Sequence, residues 1–422
     1  MRRDLATTFL TEATVVLSYL LSFRLVAQDF GAQGFGEYAL ARRTLAVLLP
    51  LVAITTDLAV ARYVAFAVAG DSGRARRYAP AAGAIVLVTA LALGAVLLLF
   101  PGPLAALLFG STRYSDLILP MPLLIFGSAL HGIAYGYLRG LGRIQVANVL
   151  MGLNHAVLPL VAIELSRGSV ANILLLLGAG WAAVSLACLA VLPLSFAAIP
   201  ENIRELVRYG APRVPGDLLR FALFSAPSVV VAHLEGLTAA GAVAFGVAAV
   251  GMLGTAVSPI GFVMLPFAAR MMAGGELGEL RHRLVTIAAL TGGAVLAAVL
   301  VVEVFAPQLV DAYLGHGFAA AARALRILIP AALPWAIYTS LASVVDAHHV
   351  RPVNARNMAI ASAAFVVAMV TSIVIHPSEE TVSLAFVVSL YVLGALTLLE
   401  VHSITKASDP ATPVAVPSQP ML

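Results

Sequence analysis

The chain is an almost unbroken succession of apolar runs, each close to the roughly 20 residues that an α-helix needs to cross a hydrocarbon core. Charge, glycine and proline separate twelve of them, at 5–28, 39–66, 79–100, 117–138, 146–165, 170–198, 214–234, 240–270, 284–306, 321–345, 355–376 and 381–403. Composition closes the other routes. Apolar residues make up 61% of the 422 and charged ones 11%, against about 45–50% and 25% in an ordinary soluble domain. That is too little charge to cover a water-exposed surface, which excludes a soluble enzyme, a nucleic-acid-binding protein and a disordered scaffold. The single cysteine, Cys188, excludes an intramolecular disulfide and a cysteine-based metal site. The expectation is an all-α polytopic membrane protein of about twelve helices. Met1-Arg2-Arg3 opens like a signal peptide, but Glu12 interrupts the apolar run and no small-residue cleavage site follows Phe23-Arg24. An uncleaved first span is expected, and a disordered cytoplasmic tail over 407–422, where Pro410, Pro413, Pro417 and Pro420 fall.

Orientation follows from the basic residues, because cytoplasmic loops carry the excess of Lys and Arg. With the N-terminus inside, the cytoplasmic segments hold fifteen: Arg2, Arg3, Arg74, Arg76, Arg77, Arg139, Arg143, Arg204, Arg208, Arg213, Arg281, Arg283, Arg351, Arg356 and Lys406. The opposite loops hold two, Arg113 and Arg167. Both termini are therefore expected in the cytoplasm of a plasma (inner) membrane. The halves also echo each other. An offset of 207 carries Gly34 onto Gly241, Tyr38 onto Phe245, Arg74 onto Arg281 and Arg76 onto Arg283, and offsets of 206 to 209 carry Pro101 onto Pro307, Arg143 onto Arg351 and Pro50 onto Pro259. Six spans per copy insert the same way round, which predicts a parallel repeat with a substrate site between halves. The expected units are 1–200 and 201–406, with the segment 199–213 as cytoplasmic connector.

After the first span stands Gly31-Ala32-Gln33-Gly34-Phe35-Gly36-Glu37-Tyr38-Ala39, followed by a second span closing on Ala61-Arg62-Tyr63-Val64. This pairing resembles the polysaccharide-transporter branch of the multidrug/oligosaccharidyl-lipid/polysaccharide exporter superfamily, the Wzx-type flippases of O-antigen and capsule units. Gly241-Ala242-Val243-Ala244-Phe245 is a weaker echo of the motif. The resemblance spans residues 1 to about 405. It implies a flippase that moves a polyprenyl-diphosphate-linked oligosaccharide from the cytoplasmic to the outer leaflet by alternating access, in lipopolysaccharide or capsule biosynthesis. Its partners would be the bilayer, glycosyltransferases and a polysaccharide polymerase. No cofactor, metal, catalytic residue or nucleic acid is implied. The near absence of lysine departs from the family, so cationic cavity positions do not carry over residue by residue.

Arginine can hold phosphate oxygens bidentately and keeps its charge when buried, whereas burying it on a spanning helix costs about 2.5–3.5 kcal/mol or more. Arg43 and Arg220 are the leading candidates for the substrate's phosphates, followed by Arg24, Arg62 and Arg270. Arg42, Arg43, Arg62 and Arg270 fit equally well as residues snorkelling to headgroups. In the second span Arg43, Pro50 and Asp57 recur every seven residues and so share a helix face, with a bend expected at Pro50 and at Pro259 and Pro266 in span eight. Glu12 lies in a polar stripe with Thr8, Thr11, Ser18, Tyr19 and Ser22; it is the first candidate for ion coupling, or else a partner of Arg2 or Arg3. Asp57 and Asp217 are further coupling candidates, although Asp217 and Arg220 stand at a spacing that also makes a simple ion pair. Glu303 has no partner in its own sequence neighbourhood, His131 and His155 read as packing residues, and His348-His349 as a solvated pair. Competing readings are a multidrug exporter of the same superfamily, a major-facilitator transporter (Gly70-Asp71-Ser72-Gly73-Arg74-Ala75-Arg76-Arg77 is one residue off that family's loop) and an O-antigen polymerase or ligase, for which the longest outer loop offers only Arg113, Tyr114 and Asp116.

Overall fold

The computed structural model describes residues 2–70, 72–166, 168–349 and 351–406; the tail 407–422, expected to be disordered, lies outside them. These residues form α-helices joined by short turns: α1 Arg2–Ala53, α2 Thr56–Gly70, α3 Ser72–Leu99, α4 Pro101–Phe109, α5 Met121–Gly140, α6 Ile144–Gly152, α7 Leu158–Leu165, α8 Val170–Ala190, α9 Ile199–Gly210, α10 Val214–Glu235, α11 Leu237–Ala273, α12 Leu277–Leu314, α13 Ala319–Leu328, α14 Ala332–His348, α15 Val353–Ile375 and α16 Glu379–Lys406. Eleven stretches are long and apolar enough to cross a membrane. The outward faces suit lipid: Leu87, Val88, Leu91, Leu98 and Leu99 on α3 and Val366, Val367, Val370 and Val374 on α15 are all exposed. In water such stripes would be untenable, and in hydrocarbon they cost nothing.

The chain divides into two compact units, Met1–Ala244 with Val310–Ala321, and Phe245–Leu309 with Ala322–Leu422. In the first, α5 packs on α8 at backbone distance. A side chain at Gly127 would meet the carbonyl of Gly178, and one at Gly178 would meet the backbone of Leu124. Small residues facing one another are the usual route to close helix packing where lipid is no worse a solvent for leucine than protein is. Tyr137 of α5 and Trp181 of α8 are fully buried. In the second unit α14, α15 and α16 pack together, and Met264, Leu280, Leu284, Leu341, Val344, Val345 and Ile404 form a buried core.

Several boundaries differ from the sequence expectation, each for a local reason. Within α1 two helical segments meet at a kink, Gly31 (φ 64°, ψ −167°), close to the expected end of the first span, and the second segment runs on to Ala53. The second span begins after that kink and is shared between the end of α1 and the 15-residue α2; eleven stretches qualify by length because Ala6–Ala53 joins the first expected span to most of the second. The break in that span is not at Pro50, which stays inside α1, but at Ile54 and Thr55, both left-handed (φ 46° and 54°). Arg43 and Pro50 therefore share a helix while Asp57 belongs to the next one, and the continuous face proposed through all three is interrupted. Pro259 lies within α11, which runs without a gap from Leu237 to Ala273. The sixth span ends at Ala190, and the irregular segment that follows is pinned by Ser195 N–H to the carbonyl of Arg76 (2.9 Å). The connector becomes an amphipathic helix, α9: Asn202, Leu206 and Gly210 are buried, Glu201, Arg204 and Arg208 exposed. Glu205 on α9 meets both Arg74 and the Tyr78 hydroxyl (2.8 Å) of α3, a latch between neighbouring helices.

Candidate functional site

Within the apolar stretch of α1 stand three arginines and three carboxylates, Glu12, Asp29 and Glu37. Arg24, Arg42 and Arg43 are all half-buried, within the apolar stretch Ala6–Ala53. Arg24 donates through Nη1 to the carbonyl of Ala312 (3.0 Å). Arg43 donates through Nη2 to the carbonyl of Ala244 (3.2 Å), and its own carbonyl accepts from Ser225 Oγ (3.4 Å). Arg42 turns elsewhere. Its guanidinium lies 5.6 Å from the ring centre of Tyr19 and 5.7 Å from that of Trp181, and its Nη1 is buried without a hydrogen-bond partner. Carbonyls and aromatic rings hold these guanidiniums in place but neutralise none of them.

Beside Arg42 lies a buried polar cluster built on a helix irregularity. Between α6 and α7 the chain makes one π-helical turn, Leu153–Val157. Such a turn carries one residue more than the α-helix and loosens the regular ladder of carbonyls. Two side chains reach carbonyls of this turn: Trp181 Nε1 donates to Asn154 O and Ser18 Oγ to Ala156 O. The turn presents Asn154 to the interior, where Nδ2 donates to His131 Nδ1 (2.9 Å) and to Ser185 Oγ (3.1 Å). Asn154 is fully buried, and its Oδ1 has no partner. His131 and His155 meet edge to face at 4.5 Å, His155 leans on Trp181 at 5.2 Å, and Tyr135 stacks on His131 at 5.6 Å. The polar stripe expected on the first span is used largely for this helix contact: Asn148 Nδ2 donates to Thr7 and Thr8 (3.3 and 3.1 Å), and Ser18 closes onto the π turn.

A second group gathers farther along the same unit. Asp217 and Arg220 on α10 form the ion pair their spacing allowed (3.4 Å), partly exposed, with Arg220 also 4.7 Å from the Phe221 ring centre. Asp57 is exposed in the first turn of α2, with Asp217 among its electrostatic neighbours. Arg62 is exposed and lies over Phe66 and Tyr209 (5.0 and 5.3 Å). Glu12 is exposed on α1, with Tyr135 as an electrostatic neighbour; the alternative pairing with Arg2 or Arg3 involves side chains outside the described residues. The structure thus brings Asp57, Asp217 and Arg220 into one group. Arg24 and Arg43 have separate partners, on α12 and α11.

In the second unit Arg270 is exposed near the end of α11. Glu303 is half-buried, and Arg326 Nε donates to its backbone carbonyl (3.0 Å). The expectation of a solvated histidine pair is corrected at His349, which is half-buried 3.5 Å from Glu400, itself bound to Arg356. Among the described residues no three His, Cys, Asp or Glu side chains converge as a metal site would require. Sequence reasoning passed over Arg42, Asn154 and Trp181 as site residues. The available signal was the doublet Arg42-Arg43, since adjacent residues on a helix point about 100° apart and cannot both face one side.

The fold is known from membrane transporters. An inward-facing MATE-family multidrug transporter aligns with a TM-score of 0.74 at 15% identity, over 94% of this chain and 96% of that one. The lipid II flippase MurJ in an inward closed conformation aligns with a TM-score of 0.74 at 13% identity, over 96% and 90%. A transporter from Pyrococcus furiosus, described by the reversed polarity of its binding pocket, aligns with a TM-score of 0.59 at 13% identity, over 95% and 94%. At these identities the likeness establishes the all-helical transporter fold. No protein-family model matches the chain, and no curated protein does.

Proposed function

We propose that this chain is an alternating-access flippase that carries a polyprenyl-diphosphate-linked oligosaccharide from the cytoplasmic to the outer leaflet, with both termini in the cytoplasm. The observation that carries the reading is the neutral company of the α1 arginines. Arg24 and Arg43 donate to backbone carbonyls, and neither forms an ion pair among the described residues. A positive charge left uncompensated in a low-dielectric segment is costly unless something negative visits it. A diphosphate head supplies that charge, and the prenyl chain stays in lipid. An exporter of cationic drugs has the opposite requirement. The shared fold supports alternating access for either cargo, so the α1 guanidiniums that meet carbonyls and not carboxylates are what favour the anionic one.

The test is reconstitution in vesicles with a fluorescent polyprenyl-diphosphate oligosaccharide, scoring its protection from an external quencher, alongside uptake of an organic cation. The diphosphate lipid should move and the cation should not. Arg43→Ala should abolish movement, and Arg43→Lys should restore part of it, because a point charge attracts phosphate without the bidentate fork. Transport of the cation with no movement of the lipid would sink the reading.

A further inference from the structure

Arg42 is framed as if to hold something other than a carboxylate side chain. Its guanidinium lies between Tyr19 and Trp181, and one of its amino nitrogens is buried with no acceptor. The residue as a whole keeps some exposure, so its remaining N–H groups are not sealed in. Arg43 follows it in sequence and, as an electrostatic neighbour, adds to the local positive potential. The tyrosine and tryptophan rings attract a cation only through their faces, at about 0.5–2 kcal/mol. They offset little of the cost of a guanidinium in this position. The adjoining Asn154, His131 and Ser185 are engaged with one another and supply no negative charge. Among the described residues Arg42 forms no ion pair, and the donors left over belong to its guanidinium.

We propose that the N-terminal unit holds a small singly charged anion, a free halide or a simple carboxylate, against the Arg42 guanidinium beside Tyr19 and Trp181. A single guanidinium matches one negative charge. The site is a resident co-ion site of this unit and does not rest on the identity of the transported lipid. Trp181 is also its reporter, since an indole beside a bound heavy halide loses its fluorescence.

The experiment uses the full-length protein in lipid nanodiscs without any lipid-linked glycan. Trp335→Phe leaves Trp181 as the sole indole of a chain with two tryptophans. Iodide is titrated against gluconate at constant ionic strength. Binding beside Trp181 should give saturable quenching with an unchanged excited-state lifetime, reversed by chloride. Arg42→Gln should turn the curve into the linear, lifetime-shortening quenching of collision alone, and Arg42→Lys should raise the half-saturating concentration at least tenfold. Should Arg42→Gln fail to fold, melting decides: the Trp335→Phe protein should melt higher in chloride than in gluconate, and Arg42→Lys should lose most of that difference. Linear quenching in the Trp335→Phe protein, or saturation that survives in Arg42→Gln, would overturn the proposal. So would a melting temperature indifferent to chloride. Displacement of iodide by pyrophosphate at lower concentration than by chloride would also overturn it, by assigning Arg42 to the diphosphate group. Because no glycan is present, failure of the flippase reading leaves these outcomes unchanged.

Discussion

Replacing Thr55 by glycine should stabilise the protein. Thr55 stands at a left-handed φ of 54° between α1 and α2, a conformation that costs an L-residue about 1–2 kcal/mol and a β-branched one no less. Its hydroxyl is also buried without a hydrogen-bond partner, a further penalty of about 1–3 kcal/mol. Glycine removes both, at the expense of about 0.5–1 kcal/mol in the flexibility of the unfolded chain. A net gain of about 2 kcal/mol follows from these three contributions. Thr55→Ala separates them, because it removes the hydroxyl and keeps the strain. The expected order of thermal stability, followed by light scattering or by retention of a monodisperse peak after heating in detergent, is Thr55→Gly above Thr55→Ala above wild type. Thr55→Gly melting below Thr55→Ala would show that residue 55 is not held left-handed, and the reasoning would fall with it. Backbone strain kept at a joint between two helix segments usually serves a motion. The stabilised variant should therefore transport more slowly although it folds better.

Gly210 touches the same joint from α9: a methyl group there would meet the carbonyl of Ile54, so Gly210→Ala should cost about 1–3 kcal/mol and speed tryptic cleavage at Arg204 and Arg208. Cysteines introduced at Gly110 and Gly315 in a Cys188→Ala background should react with an impermeant maleimide from outside, and those at Gly73 and Glu279 only from the cytoplasm; labelling of Gly73 and Glu279 from opposite sides would break the parallel repeat. Asp217→Asn should retain transport, while Arg220→Gln and the double variant should lose it with normal membrane abundance. Normal transport by the double variant would make that pair structural, consistent with a partly exposed ion pair worth at most about 1 kcal/mol.

The spans were legible because the signal is additive: some twenty apolar residues in a row outweigh any single misplaced one. The Asp217–Arg220 contact was legible for a related reason, since both partners lie on one turn of one helix. The break at Ile54-Thr55 was not. Isoleucine and threonine are poor residues for left-handed backbone, and Pro50 four positions earlier is the better local candidate; the chain places the break where α9 packs against it through Gly210. The cluster at Asn154 was hidden twice over. Its members come from α1, α5, the π turn and α8, and the π turn shifts every side chain after it off the 3.6-residue period by which a face is read. Arg42 and Arg43 were distinguishable from each other only once the partners of α1 were known.

The π-helical turn at Leu153–Val157 also leaves an evolutionary signature. It amounts to one codon inserted into an otherwise regular helix, and its carbonyls at 154 and 156 take their hydrogen bonds from Trp181 and Ser18. A lineage that deletes that codon restores the regular ladder and removes the need for a donor at either position. Helix length here, the residue at 18 and the residue at 181 are therefore expected to change together. Relatives with the shortened helix will accept alanine at 18 and phenylalanine or leucine at 181, while those that keep the insertion will keep an O–H or N–H at both.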